Sequence, residues 1–139
     1  MSRPVVVSDT GFVVALFNAD DKHHSASIQQ YLRWDEILLP QPALTEISYF
    51  ATNPGVRSAF LQFLKDIPSS KFKLVHMEPS IAARVAELLH IYADTRIDFV
   101  DACVMAIAEH YQIETVLTLD RRDFTIVRPV HCESFTLLP

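Results

Sequence analysis

Residues Pro4-Val5-Val6-Val7-Ser8-Asp9-Thr10-Gly11 constrain the fold more than any other stretch of the chain. Consecutive valines make a short apolar run of β-branched residues, the pattern of a strand covered on both faces. The run ends in a carboxylate, a hydroxyl and one of only two glycines in the sequence. The spacing then turns helical, with Phe12, Val13, Ala15 and Leu16 on one face of a short helix ending near Asn18. Ligands of open parallel sheets bind beyond the carboxyl ends of the strands. An acid placed there, on a strand too apolar for a surface edge, costs desolvation energy unless something compensates it. Asp9 is therefore read as the anchor of a metal site on which other acids converge.

The rest of the chain alternates strands with helices. Asp20 and Asp21 look like the start of a second helix, with Ile28, Tyr31 and Leu32 as its buried face. His23 and His24 fall in its first turn, and as neighbours they do not face one another, which favours solvation or capping over ligation. Ile37-Leu38-Leu39-Pro40 reads as a second buried strand. Pro42 suits the opening of the next helix and places Glu46 about one turn in. Taken alone, Glu46 is better explained as an acid favoured by the helix dipole. Asn53-Pro54-Gly55 signals a turn, and Phe60, Leu61, Phe63 and Leu64 continue as an amphipathic helix to Pro68. Lys71 to His76 reads as a strand near an edge, its lysines discouraging further pairing. Pro79 begins a helix whose apolar face carries Ile81, Ala82, Val85, Leu88 and Leu89. His76 and His90 have no partner at ligand spacing.

Two further acidic positions follow. Arg96 to Ala108 is a helix of small and apolar residues, buried on most sides. Asp98 and Asp101 share a face at its start, and either is also explained as a cap or dipole acid. Thr115-Val116-Leu117-Thr118-Leu119-Asp120 repeats the Val7-Ser8-Asp9 arrangement, a short β-rich strand with an acid just past its end. Asp123 reads as a turn or capping acid, Phe124 as a core anchor and Ile126-Val127 as a last short strand, while Phe135 to Pro139 has no assignment. This alternation predicts a single domain over residues 1–139, a three-layer α/β/α sandwich on a mostly parallel sheet of about five strands. Right-handed crossovers bring all strand carboxyl ends to one side, and with them Asp9, Glu46, Asp101 and Asp120.

Composition narrows the class. Of 139 residues, 50% are hydrophobic and 21% charged, which describes a globular chain with a proper core. Every long apolar stretch is broken by charge and no secretory signal opens the chain, so a cytoplasmic protein without a membrane span is expected. Cys103 and Cys132 lack ligand spacing and read as reduced thiols. The net charge of −5 argues against nucleic acid at first sight. If four of the 17 acids belong to one site, however, the remaining 13 face 12 Lys and Arg, and bound cations invert the local sign.

Four carboxylates in a small volume stay ionised only with cations among them, and oxygen-only ligation favours Mg²⁺ or Mn²⁺. Two such ions about 3.5–4 Å apart activate water and stabilise the leaving oxygen in phosphodiester cleavage. The glycines at 11 and 55 make no phosphate-binding or dinucleotide loop. An aspartyl phosphotransferase site of the haloacid-dehalogenase kind needs a second acid where Gly11 stands. A receiver domain needs an acidic pair before its first strand's acceptor, and none is evident.

The motifs Val7-Ser8-Asp9-Thr10 with Asp20-Asp21-Lys22-His23 downstream, Pro42-Ala43-Leu44-Thr45-Glu46, Asp101-Ala102 with Ala106-Ile107-Ala108-Glu109, and Thr118-Leu119-Asp120-Arg121-Arg122-Asp123-Phe124 occur in this order along nearly the whole chain. Together they resemble the PIN-domain family, and within it the VapC-like toxin nucleases of type II toxin–antitoxin pairs. The resemblance implies Asp9, Glu46, Asp101 and Asp120 as an acidic quartet holding Mg²⁺ or Mn²⁺, with Thr10 and Thr118 as supporting hydroxyls. Asp98 stands as an alternative to Asp101 or a fifth acid; Asp101 is preferred because Asp98 is already suited to capping. It further implies a metal-dependent endoribonuclease acting on RNA, commonly a homodimer, restrained by a cognate antitoxin. Arg121 and Arg122 follow Asp120 and would reach RNA phosphates, unless they only solvate a turn. The rival expectation is a PIN-like module that binds RNA or protein without cutting. The presence of all four acids argues against it, since an unused acidic cluster only destabilises a fold.

Overall fold

A computed structural model describes residues 4–139. Its centre is a five-stranded sheet in which every pairing is parallel, in the order β3-β2-β1-β4-β5. The strands are β1 (Val5–Ser8), β2 (Glu36–Pro40), β3 (Phe72–Val75), β4 (Thr115–Leu117) and β5 (Thr136–Leu138). Between them run α1 (Thr10–Phe17), α2 (His24–Arg33), α3 (Ala43–Phe50), α4 (Pro54–Asp66), α5 (Pro79–Ile91), α6 (Phe99–His110) and α7 (Arg121–Ile126). Parallel strands need such crossovers, and the crossovers cover both faces of the sheet.

Strand alternation sorts the side chains into two cores. Val6, Ile37, Leu39 and Leu117 face one side, where they meet Phe12 and Ile47 from α1 and α3. Their neighbours Val7, Leu38 and Val116 face the other, packing on Val85, Leu88 and Ile107 of α5 and α6. Three layers result, as the uninterrupted apolar strands predict. α6 is the most enclosed helix, with Ala102 through Glu109 all buried. Among the described residues, no helix is long and apolar enough to cross a membrane.

The chain departs from the expected pattern in several places. Ile126 and Val127 do not form the last strand: Ile126 ends α7, and Val127 is buried one helical turn beyond Phe124. The final strand is instead β5, in the tail left unassigned, whose Thr136–Leu138 register against Thr115–Leu117. Three residues are too few to show a period. α2 begins at His24, because Asp21 closes a turn by accepting the His23 N–H (2.7 Å). Its Leu32 is 68% exposed rather than buried, and Ser27 is the residue that faces inward. Ala82 of α5 is likewise exposed.

Phe124 is fully buried against Phe135, with ring centroids 6.3 Å apart and nearly perpendicular. That contact ties α7 to the approach of β5. Phe124→Ala is expected to lower stability by about 3–5 kcal/mol in urea unfolding. A loss under about 1 kcal/mol would contradict this placement of α7 and the tail.

Candidate functional site

The chain fills β1, β2 and β3 in one direction and then returns to place β4 and β5 on the other side of β1. The order reverses between β1 and β4, and a crevice opens there beyond the strand ends. It forms a cleft of about 520 Å³ whose walls include Asp9, Glu46, Asp101 and Asp120. Four separate elements thus bring their acids to one place.

Each acid is held by local structure. Asp9 ends β1 and caps α1, its Oδ1 accepting the Phe12 N–H at 3.0 Å. Its Oδ2 accepts a hydrogen bond from the Thr118 hydroxyl, just beyond β4. That hydroxyl also accepts the Asp120 N–H at 2.9 Å, so one threonine fixes both strand-end acids. Glu46 lies in the first turn of α3, where Thr10 Oγ1 donates to its Oε1 at 2.6 Å. The two threonines expected as supporting hydroxyls therefore each contact an acid of the cleft. Asp98 and Asp101 form a reciprocal capping box: Asp98 Oδ1 accepts the Asp101 N–H (2.9 Å) and Asp101 Oδ2 accepts the Asp98 N–H (3.2 Å). Both acids cap, but of the two it is Asp101 that lines the cleft.

Burial dominates the electrostatics. Asp9 is only 7% exposed. Burial pushes its carboxyl up to about 6, with the charges of Asp120 and Glu46 adding to the rise and the bonds from Thr118 and Phe12 opposing it. Burial and the neighbouring Asp98 and Asp123 push Asp101 up to about 7. Asp123, read from the sequence as a turn or capping acid, is also buried. It is 4% exposed, in the first turn of α7, and its Oδ1 is buried without a hydrogen-bond partner. Burial and the facing Asp120 raise its pKa against the pull of Arg96.

The donors in the cleft are all oxygens, which suits a hard divalent cation. Gly11 leaves space beside the Asp9 carboxyl, where a Cβ would stand 3.8 Å from Oδ1. Among the described residues, no three acid, imidazole or thiol groups are gathered closely enough to hold one ion. The acids line the cleft without converging on a single centre. Arg121 donates to the Pro139 carbonyl at 2.7 Å, whereas Arg122 is exposed. Two residues absent from the sequence reading also line the cleft, Tyr49 and Phe50 of α3. Their signal was their spacing of three and four from Glu46, which puts them on the same helix face.

The PIN-domain sequence model matches residues 6–128, and the chain belongs to the PIN-domain family. Among its relatives is Ribonuclease VapC26 of Mycobacterium tuberculosis, 30% identical over 136 residues that cover 96% of this chain and all of that protein. The fold is similar to M. tuberculosis VapC20, described as a sarcin–ricin loop cleaving toxin, with a TM-score of 0.75, 22% identity and coverage of 92% of this chain and 98% of that one. It is also similar to Rickettsia felis VapBC2 bound to promoter DNA, with a TM-score of 0.67, 14% identity and 96% of each chain covered. Ribonucleases of this family generally depend on a divalent metal.

A carboxyl whose pKa is raised by folding holds its proton where the unfolded chain has already lost it. Stability in the absence of metal is then highest below the unfolded value near 3.8 and falls as pH rises through the folded value near 6 for Asp9. Asparagine keeps the helix cap and removes the titration. Asp9→Asn is expected to raise the melting temperature in EDTA at pH 7, an increment of about 2–3 kcal/mol, and the gap should close towards pH 4. Circular-dichroism melts across pH check this; an equal gap at pH 4 and pH 7 would count against it.

Proposed function

We propose that this chain is a Mg²⁺- or Mn²⁺-dependent endoribonuclease, the toxin of a toxin–antitoxin pair, with RNA as its substrate and a cognate antitoxin as its protein partner. The observation that carries this reading is the meeting of four acids from four elements in one cleft at the point where strand order reverses. The relative named as a ribonuclease supports the activity. The toxin–antitoxin assemblies of R. felis and Klebsiella pneumoniae that share the fold support the partner. Free Cys103 and Cys132 are in keeping with the reducing cytoplasm, where such a substrate resides.

Asp9, Glu46, Asp101 and Asp120 would supply oxygen ligands to a divalent cation entering the cleft, no three of them being gathered about one point beforehand. Bound there, it supplies the positive charge that acidifies a water and steadies the oxygen leaving phosphorus. The chain's own part is orientation. Thr118 and the Phe12 N–H hold both oxygens of Asp9, and Thr10 holds Glu46. The capping box sets Asp101 at the start of a helix buried from Ala102 through Glu109. Among the described residues no serine, cysteine or histidine lines the cleft, and the Thr10 hydroxyl is engaged in donating to Glu46, which supports water as the nucleophile. The exposed Arg122, two residues after Asp120, would meet a phosphate of the strand.

Total RNA incubated with the purified chain should give discrete fragments with Mg²⁺ or Mn²⁺ and none with EDTA. Asp9→Asn should abolish cutting, and Thr118→Val should reduce it by about 10–100-fold, the usual effect of losing a group that orients a metal ligand. Metal-independent cutting, or full activity in Asp9→Asn, would overturn the assignment. Metal binding without any cutting would favour a binding module instead.

A further inference from the structure

We infer that Tyr49 and Phe50 form a base-stacking platform that selects unpaired nucleotides beside the bond to be cut; this rests on the ribonuclease reading. Tyr49 is 73% exposed and Phe50 55% exposed. They are not exposed because the end of α3 has come loose, since Ile47 and Ala51 on either side of them are buried. The helix is anchored through its other face, and the two rings remain on the cleft side. Both line the same cleft as the acids. They lie three and four residues beyond Glu46, so one helix face presents first a carboxylate and then, within a turn, two rings.

Chemistry favours a nucleobase as their occupant. A wall of carboxylates repels a polyanion until cations intervene, and the walls between offer little that could grip a sugar–phosphate chain by charge. Aromatic faces bind bases without charge and with little dependence on sequence. A base inside an A-form duplex has both faces covered by its neighbours, so the rings can engage only a base that is unpaired or splayed out. The geometry thus gives the cleft two functions side by side: the acids act on the phosphate, and the rings hold the adjoining base. A protein segment could also cover exposed rings, but it would have no need of their alignment with Glu46 inside the acidic cleft.

The test uses a fluorescein-labelled, random-sequence single-stranded RNA pool and the same pool annealed to its complement. Ca²⁺ replaces Mg²⁺ so that binding is read without turnover, and cutting of total RNA is followed in parallel with Mg²⁺. The variants are Tyr49→Phe, which keeps the ring, and the double variant Tyr49→Leu with Phe50→Leu, which keeps apolar area but loses the π faces. Wild type and Tyr49→Phe should bind the single-stranded pool tenfold or more tightly than the duplex. The double leucine variant should lose that preference, weakening by roughly fivefold to a hundredfold for each base no longer stacked. Its melting temperature and its Mn²⁺ binding by paramagnetic resonance should match wild type, which separates lost stacking from lost fold or lost metal. A folded leucine variant that binds and cuts as wild type does would overturn the platform and leave the ribonuclease reading standing, as would a wild type that prefers duplex. A leucine variant altered only in self-association or protein binding would also overturn it. A wild type that cuts no RNA with any metal would instead remove the ribonuclease reading on which the platform rests.

Discussion

A carboxylate buried at the end of a central strand must be compensated, and the hydrogen bond from Thr118 to Asp9 is where this protein begins to do so. Ionised carboxylates in a poorly solvated setting raise the free energy of the fold unless donors or cations meet them. Thr118 supplies one donor and the first turn of α1 another. The same hydroxyl accepts from the Asp120 backbone, so the two strand ends flanking the reversal of strand order are joined through a single oxygen. The cleft exists because β1 and β4 are adjacent, and that hydroxyl bridges their ends.

The remaining walls follow from helix starts rather than strands. Glu46 and Asp101 both sit in first turns, where the helix dipole tolerates negative charge. The dipole offsets part of the cost of these charges, although at Asp101 burial and the neighbouring Asp98 outweigh it. It is also why each, seen singly in the sequence, is fully explained without any function. Their meaning comes from facing the same space as Asp9.

Legibility in the sequence tracked the strength of local signals. The apolar β1 run predicted a doubly covered strand, and with it the layered parallel sheet, because few other settings accept consecutive valines ending in an acid. The strand-end acids were readable for the same reason. β5 was not: its three residues gain their identity only from pairing with β4. The first-turn place of Asp123 agrees with a turn or capping acid, but its burial is not legible, because nothing in the spacing reveals that α7 turns it inward. Tyr49 and Phe50 were overlooked for the complementary reason. A helical period shows which residues share a face, but not whether that face meets a neighbour or an open cleft.

The bond between Asp9 and Thr118 joins residues 109 positions apart. Closing so long a loop is entropically costly, which makes the β1–β4 pairing a high-contact-order feature of this topology. A chain lacking that pairing would carry the acids without the cleft. The fraying of β4 and β5 from the sheet would likewise dismantle the site while leaving α1 through α4 largely intact. The chemistry is consequently tied to the equilibrium by which β4 and β5 open from the sheet, and not only to global unfolding. Whatever shifts that equilibrium acts as a control on the cleft, even at a distance from it.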